Sequence, residues 1–182
     1  MSKAYVFMAN GSEEVEALMV VDILRRAKVD VDIVSVTGEN VVVGSHNIRV
    51  IADKLVEDIE DNADLIVLPG GIPGTYNLRD NQRLSEIVTE QYKSGRYVSA
   101  ICAAPTILGG LGILEGRHAC CYPGYEEELN CYETCMDAVV VDDNVITSRG
   151  LGTAADFGLA LVSLLTDEET AEALSNKIIH TV

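Results

Sequence analysis

The sequence predicts a single α/β domain, residues 1–182, built on a mostly parallel sheet with helices on both faces. Three observations carry this prediction. Short, continuous apolar runs such as DLIVL at 64–68 and YVSAI at 97–101 read as strands buried on both sides. Amphipathic stretches at helical spacing separate them along the chain. A length of 182 residues, with no repeat, linker or low-complexity tract, suits one domain whose core needs no metal or disulfide staple.

The elements follow in order. Residues 4–9 (AYVFMA) form a strand that Asn10, Gly11 and Ser12 interrupt. Ser12 is placed to cap a helix whose first turns carry Glu13, Glu14 and Glu16, where carboxylates meet the positive end of the helix dipole. Val15, Leu18, Met19 and Ile23 supply its expected buried stripe. Residues 31–36 read as the second strand, and 41–43 with 48–51 as a short hairpin. The strand at 64–68 runs into Pro69, Gly70 and Gly71, a turn whose backbone N–H groups can face a ligand. A surface helix at 84–92 precedes the strand at 97–101, which turns into a helix expected over 103–114. Strands follow at 119–122, 138–141 and 145–148, the last two joined by Asp142, Asp143 and Asn144. Helices at 153–165 and 168–177 finish the chain.

Hydrophobic residues make up 48% of the chain and charged residues 23%, a globular composition. A formal net charge of −16 argues against nucleic acid and anionic membranes as partners. The longest uncharged run, residues 97–114, contains Pro105, Gly109, Gly110 and Gly112, so a buried strand and helix explain it better than a membrane span. The opening residues lack the pattern of a signal peptide. With five cysteines and no such signal, the expectation is a cytoplasmic protein with free thiols.

The most informative stretch is AICAAP at 100–105. A buried strand delivers Cys102 and a helix begins at once, the shape of a nucleophile elbow. Such a turn requires small neighbours two before and two after, and Ala100 and Ala104 comply. Pro105 fits a first helical turn, and a thiol at a helix N-terminus is expected to gain thiolate character. The alternative is an inert thiol packed on the sheet. Strand-end ligand sites of parallel sheets gather at the carboxyl ends, where Asn10, Gly70, Gly71 and Cys102 all fall. Taken alone, Glu16 reads as a solvated first-turn carboxylate.

GSEEVE at 11–16, LPGG at 68–71, AICAAPT at 100–106 and TSRGLGT at 147–153 together resemble the ThiJ/PfpI family in order and spacing, over essentially the whole chain. The resemblance implies a flavodoxin-like three-layer sandwich of the class I glutamine amidotransferase kind, a homodimer, Cys102 as the reactive cysteine and Glu16 as the carboxyl bonded to it. It also implies oxyanion donors at the backbone of Gly70, Gly71 and Ala103. Two anions in contact are costly, so a protonated Glu16 is expected to donate to the thiolate. The chain departs from the protease-like branch, which has a histidine directly after the cysteine; here that residue is Ala103. At the position where other relatives carry a histidine stands Tyr122. His46 is a candidate to approach a partner's site, and Arg149 to bind a substrate anion or to form a structural ion pair.

Cys120, Cys121, Cys131 and Cys135 offer four thiols that a zinc site could use. Adjacent strand residues point to opposite faces, and the paired C-x2-C form is missing, so no metal is expected. The resemblance implies cofactor-independent work on small α-oxoaldehydes or glycation adducts. A redox-sensing chaperone in which oxidation of Cys102 is the signal is the competing expectation. A peptidase or amidase is weakened by Ala103 and the missing Cys–His dyad.

Overall fold

The computed structural model describes residues 2–60 and 62–180. Its strands are β1 (Lys3–Met8), β2 (Asp30–Ser35), β3 (Val41–Val43), β4 (Arg49–Ile51), β5 (Lys54–Leu55), β6 (Leu65–Leu68), β7 (Tyr97–Ile101), β8 (His118–Ala119), β9 (Glu133–Thr134), β10 (Val139–Asp142) and β11 (Val145–Ser148). The helices are α1 (Glu14–Arg26), α2 (Gly74–Arg79), α3 (Gln82–Lys93), α4 (Pro105–Gly110), α5 (Ala154–Leu165) and α6 (Glu168–Lys177). One seven-stranded sheet runs in the order β10-β11-β7-β6-β1-β2-β5. Its pairs are parallel except for β10 with β11.

Alternation along β1 shows how the layers divide. Ala4, Val6 and Met8 face one core, together with Ala17, Val20, Ile23 and Leu24 of α1 and Phe157 and Leu161 of α5. Tyr5 and Phe7 face the other, with Leu78 of α2, Leu84 and Val88 of α3 and Ile107 of α4. Side chains that alternate across a pleated strand leave no free face once both cores form. The result is the three-layer, flavodoxin-like sandwich expected from the sequence.

Four expectations are corrected. Ser12 does not cap α1: its Oγ accepts the Ala9 N–H at 3.0 Å, and the cap is Glu13, whose carboxylate accepts the Val15 N–H at 3.3 Å. The buried stripe of α1 is Ala17, Val20, Val21, Ile23 and Leu24, while Val15 and Leu18 are exposed. Hydrogen bonding of Glu14 and Glu16 inside the protein sets that rotation of the helix. The helix after Cys102 is a six-residue piece, α4, with turns beyond it; Gly109, Gly110 and Gly112 add little to helix stability. The strand expected at 119–122 is reduced to β8, because Cys120 gives its N–H to Thr147 Oγ1 at 2.9 Å.

Candidate active site

Cys102 lies just past the carboxyl end of β7 with φ of 66°, the left-handed region that a side chain occupies only when its surroundings enforce it. The enforcement is visible on both sides of the residue. Its N–H donates to the Ser148 carbonyl of β11 at 3.0 Å, and its carbonyl accepts from the Tyr122 N–H at 2.8 Å. Ala100 and Ala104 are fully buried beneath the turn. The thiol itself is partly exposed.

The LPGG loop brings the second group. Gly70 donates its N–H to Glu16 Oε2 at 2.9 Å, and its carbonyl accepts the Glu13 N–H at 2.8 Å, so the end of β6 is fastened to the start of α1. A Cβ on Gly70 would come within 3.0 Å of Cys102 Sγ and 2.9 Å of Glu16 Oε2. Only glycine lets backbone, sulfur and carboxylate meet there. Gly71 has φ of 88°, and a Cβ on it would come within 2.7 Å of the Gly11 carbonyl oxygen. Its N–H and that of Ala103 are directed at the sulfur. Of the three backbone donors expected from the sequence, Gly70 is therefore committed to Glu16, and Gly71 and Ala103 serve the thiol.

Glu16 is 1% exposed and hydrogen-bonded to the Cys102 side chain. Burial pushes its carboxyl up to about 7, with the Gly70 N–H and the thiol pulling the other way. Burial and the facing Glu16 push the Cys102 thiol up to about 12, against the two N–H groups that favour its anion. The cause common to both is that two negative charges in contact, out of water, repel. The pair thus keeps one proton near neutral pH, shared across a single hydrogen bond. The expectation of an unusually acidic thiol rested on a helix N-terminus and neighbouring backbone donors; the donors are in place, but burial and the facing Glu16 outweigh them and α4 has only six residues, while burial pushes Cys120 up as well, to about 11.

The other predicted residues separate. Tyr122 is half exposed at the mouth, and Gly150 leaves room between its ring and Glu16: a Cβ there would lie 3.3 Å from Tyr122 Cδ2 and 4.0 Å from Glu16 Oε1. His46, on the turn between β3 and β4, pairs instead with Glu14 at 3.2 Å and Glu13 at 3.3 Å. These two carboxylates hold its imidazolium, raising its pKa. Ligand atoms of Glu13, Glu14 and His46 lie within 4.8 Å of one another, the one such group among the described residues, but Ser45 Oγ and backbone N–H groups already occupy Glu14. The Arg149 guanidinium lies beside Cys120 and Cys121 rather than Cys102, with Nη1 3.5 Å from the Met136 carbonyl. Two phenols went unpredicted: Tyr76 of α2 and Tyr125 hydrogen-bond to each other within electrostatic reach of Cys102. Nothing in their sequence spacing, across the turn at α2 and the loop after β8, links them.

Comparison with known proteins places this arrangement. The DJ-1/PfpI family profile matches residues 2–164, and the chain belongs to that family. It is 39% identical over 180 residues to protein DJ-1 homolog B of Arabidopsis thaliana, covering 97% of this chain and 41% of that protein. The chain thus spans about two fifths of the length of that relative. It is 34% identical over 165 residues to the Caenorhabditis elegans glutathione-independent glyoxalase DJR-1.2, covering 90% of this chain and 88% of the other. The structure of oxidized Toxoplasma gondii DJ-1 superposes with a TM-score of 0.96 at 32% identity over the full length of both chains.

Proposed function

We propose that the chain is a cofactor-independent enzyme acting on small α-oxoaldehydes or early glycation adducts. The observation that carries this reading is the strained Cys102, facing one proton-sharing carboxylate and two backbone N–H donors. A glyoxalase name on a relative 34% identical over most of both chains supports the substrate class.

In this reading Sγ attacks the aldehyde carbon as Glu16 takes the thiol proton, giving a hemithioacetal. A carboxyl near 7 is poised to accept and return protons at neutral pH. Glu16 then moves a proton from the hemithioacetal carbon to the neighbouring carbonyl carbon through an enediolate, leaving a thioester. Water cleaves the thioester, releasing a 2-hydroxy acid and the thiol. The Gly71 and Ala103 N–H groups hold the oxygen charge that develops beside the sulfur. Tyr122, Tyr76 and Tyr125 shape the mouth. The test is methylglyoxal turnover by metal-free protein: wild type should turn over repeatedly, and Cys102→Ser should not. Equal rates for the two would end the proposal.

A second reading has one observation in its favour. The partly exposed sulfur faces two N–H groups and a carboxyl able to donate, which together would stabilise a sulfinate. Cys102 would then sense oxidants without turnover. Under either reading the protein is proposed to be a homodimer. Val15 and Leu18 on α1 and Ile48 and Ile51 on the β3–β4 hairpin are exposed apolar side chains on two elements that the Ile48 N–H to Glu14 bond ties together, a surface suited to a second copy. A monomer mass by light scattering at micromolar concentration would contradict that.

A further inference from the structure

The four cysteines outside the site fall in two groups along the chain, Cys120 with Cys121 and Cys131 with Cys135, and the fold sets the groups side by side. β8 and β9 pair in parallel, with His118 opposite Glu133 and Ala119 opposite Thr134. The Cys135 N–H donates to the Ala119 carbonyl at 2.8 Å, so the strand path continues one residue beyond the ladder. That step sets Cys120 beside Cys135. Neighbouring parallel strands lie about 4.7–4.9 Å apart and project opposed residues to the same side. This spacing falls within the Cα separations of about 4.4–6.8 Å that a disulfide spans. Cys121 points the other way, into the core that also contacts Cys131.

Two further observations mark the pair as more than packing. Cys120 is fully buried while Cys135 is partly exposed, an arrangement with one accessible thiol and one protected one. Beside Cys120 sits the Arg149 guanidinium, whose Nε is buried without a hydrogen-bond partner. A buried donor left unpaired is costly, and the negative charge that grows on the Cys120 sulfur as it attacks a partner is the charge it lacks.

We propose that Cys120 and Cys135 form a second, dithiol redox site, separate from Cys102, that a hydroperoxide converts to an intramolecular disulfide. Cys135, the accessible thiol, loses its proton against burial and the nearby Glu133 and Asp137 carboxylates, which raise its pKa; its sulfur attacks the peroxide oxygen, the O–O bond breaks, and the leaving alkoxide or hydroxide takes a proton. Cys120 sulfur then attacks the resulting sulfenic acid, the S–S bond forms and the S–O bond breaks, releasing water. Two thiols lose two electrons and two protons, and the hydroperoxide is reduced to an alcohol and water. Hydrogen peroxide gives two waters.

The experiment uses the full chain carrying Cys102→Ser, which makes it independent of the function proposed above. Hydrogen peroxide followed by iodoacetamide should lower the intact mass, relative to a fully reduced and alkylated control corrected for two missing labels, by about 2 Da, reversed by a thiol reductant. Trypsin leaves all four cysteines on one peptide, His118 to Arg149; cleavage after Glu126, Glu127, Glu128 and Glu133 then separates Cys120, Cys131 and Cys135. The linked pair should join the peptides holding Cys120 and Cys135. Adding Cys135→Ser, at a partly exposed position that keeps the fold, or Cys120→Ala should abolish the link, whereas Cys121→Ser and Cys131→Ser should retain it. Oxygen adducts without a link, a link to Cys131 or Cys121, or a mass loss that survives Cys135→Ser would overturn the proposal.

Discussion

Glu14 and Glu16 lie two residues apart on α1, each 1% exposed, and they are put to opposite uses. Glu14 accepts from the His46 N–H at 2.7 Å, the Ile48 N–H at 3.3 Å and Ser45 Oγ at 3.2 Å, with His46 Nδ1 also 3.2 Å away. Burial works against its charge, but these donors outweigh burial and hold its carboxyl down at about 2. Glu16 has one backbone donor and a thiol, and burial wins, lifting it to about 7. The number of donors aimed at a buried carboxylate thus decides whether it is a fixed structural charge or a group that can exchange a proton.

The largest effect that sharpens this contrast is on turnover. Glu16→Gln keeps shape and hydrogen bonding but cannot carry a proton between carbons, so dicarbonyl turnover should fall by about 10²–10⁴-fold. Glu14→Gln should leave turnover within about tenfold, since it touches no reacting atom. Steady-state rates on the two variants would break the comparison if their losses matched.

Next in size is Gly70→Ala. Its methyl must displace Cys102 or Glu16, and overpacking of this kind costs about 1–3 kcal/mol. Denaturant unfolding should show that loss, with turnover impaired alongside it. Glu14→Gln should cost a similar amount, about 1–3 kcal/mol, because its carbonyl oxygen can still accept the His46 and Ile48 N–H groups but its NH2 replaces the charged oxygen that faces Ser45 Oγ and the His46 ring. Here only stability should suffer.

The smallest effect is in the pH dependence of unfolding, and the two carboxyls act with opposite signs. Glu14 has a folded pKa near 2, below its ordinary 4.5, so the folded state holds fewer protons between these values. Its contribution is complete above pH 4.5 and is lost as pH falls toward 2. Glu16 has a folded pKa near 7, so the folded state holds more protons between 4.5 and 7, and stability declines as pH rises through that window before levelling. Glu16→Gln should remove the decline, and Glu14→Gln should remove the acid loss.

Much of this was legible beforehand. The bounds of β7, β11 and α6 follow directly from apolar runs and turn residues, and the sharp turn at Cys102 follows from small alanines on either side. The rotation of α1 was not legible, because a pattern of apolar residues assigns carboxylates to solvent. Val15 and Leu18 lose the buried face to Glu14 and Glu16 only because distant backbone N–H groups at 46, 48 and 70 await them. The split of Cys120 from Cys121 was readable from strand alternation. The approach of Cys135 to Cys120 was not, since it depends on a two-residue parallel pairing that local sequence does not encode.

The central claim is that Cys102 and Glu16 share one proton. It is tested most directly by the pH dependence of Cys102 alkylation, followed by peptide mass spectrometry in wild type and Glu16→Gln. Wild type should show two rises in rate, one near pH 7 as the pair loses its first proton and one toward about 12 as it loses the second. Glu16→Gln, with no carboxylate to repel the thiolate, should show a single rise at a midpoint between them. The same single rise, at the same pH, in both proteins would contradict the account.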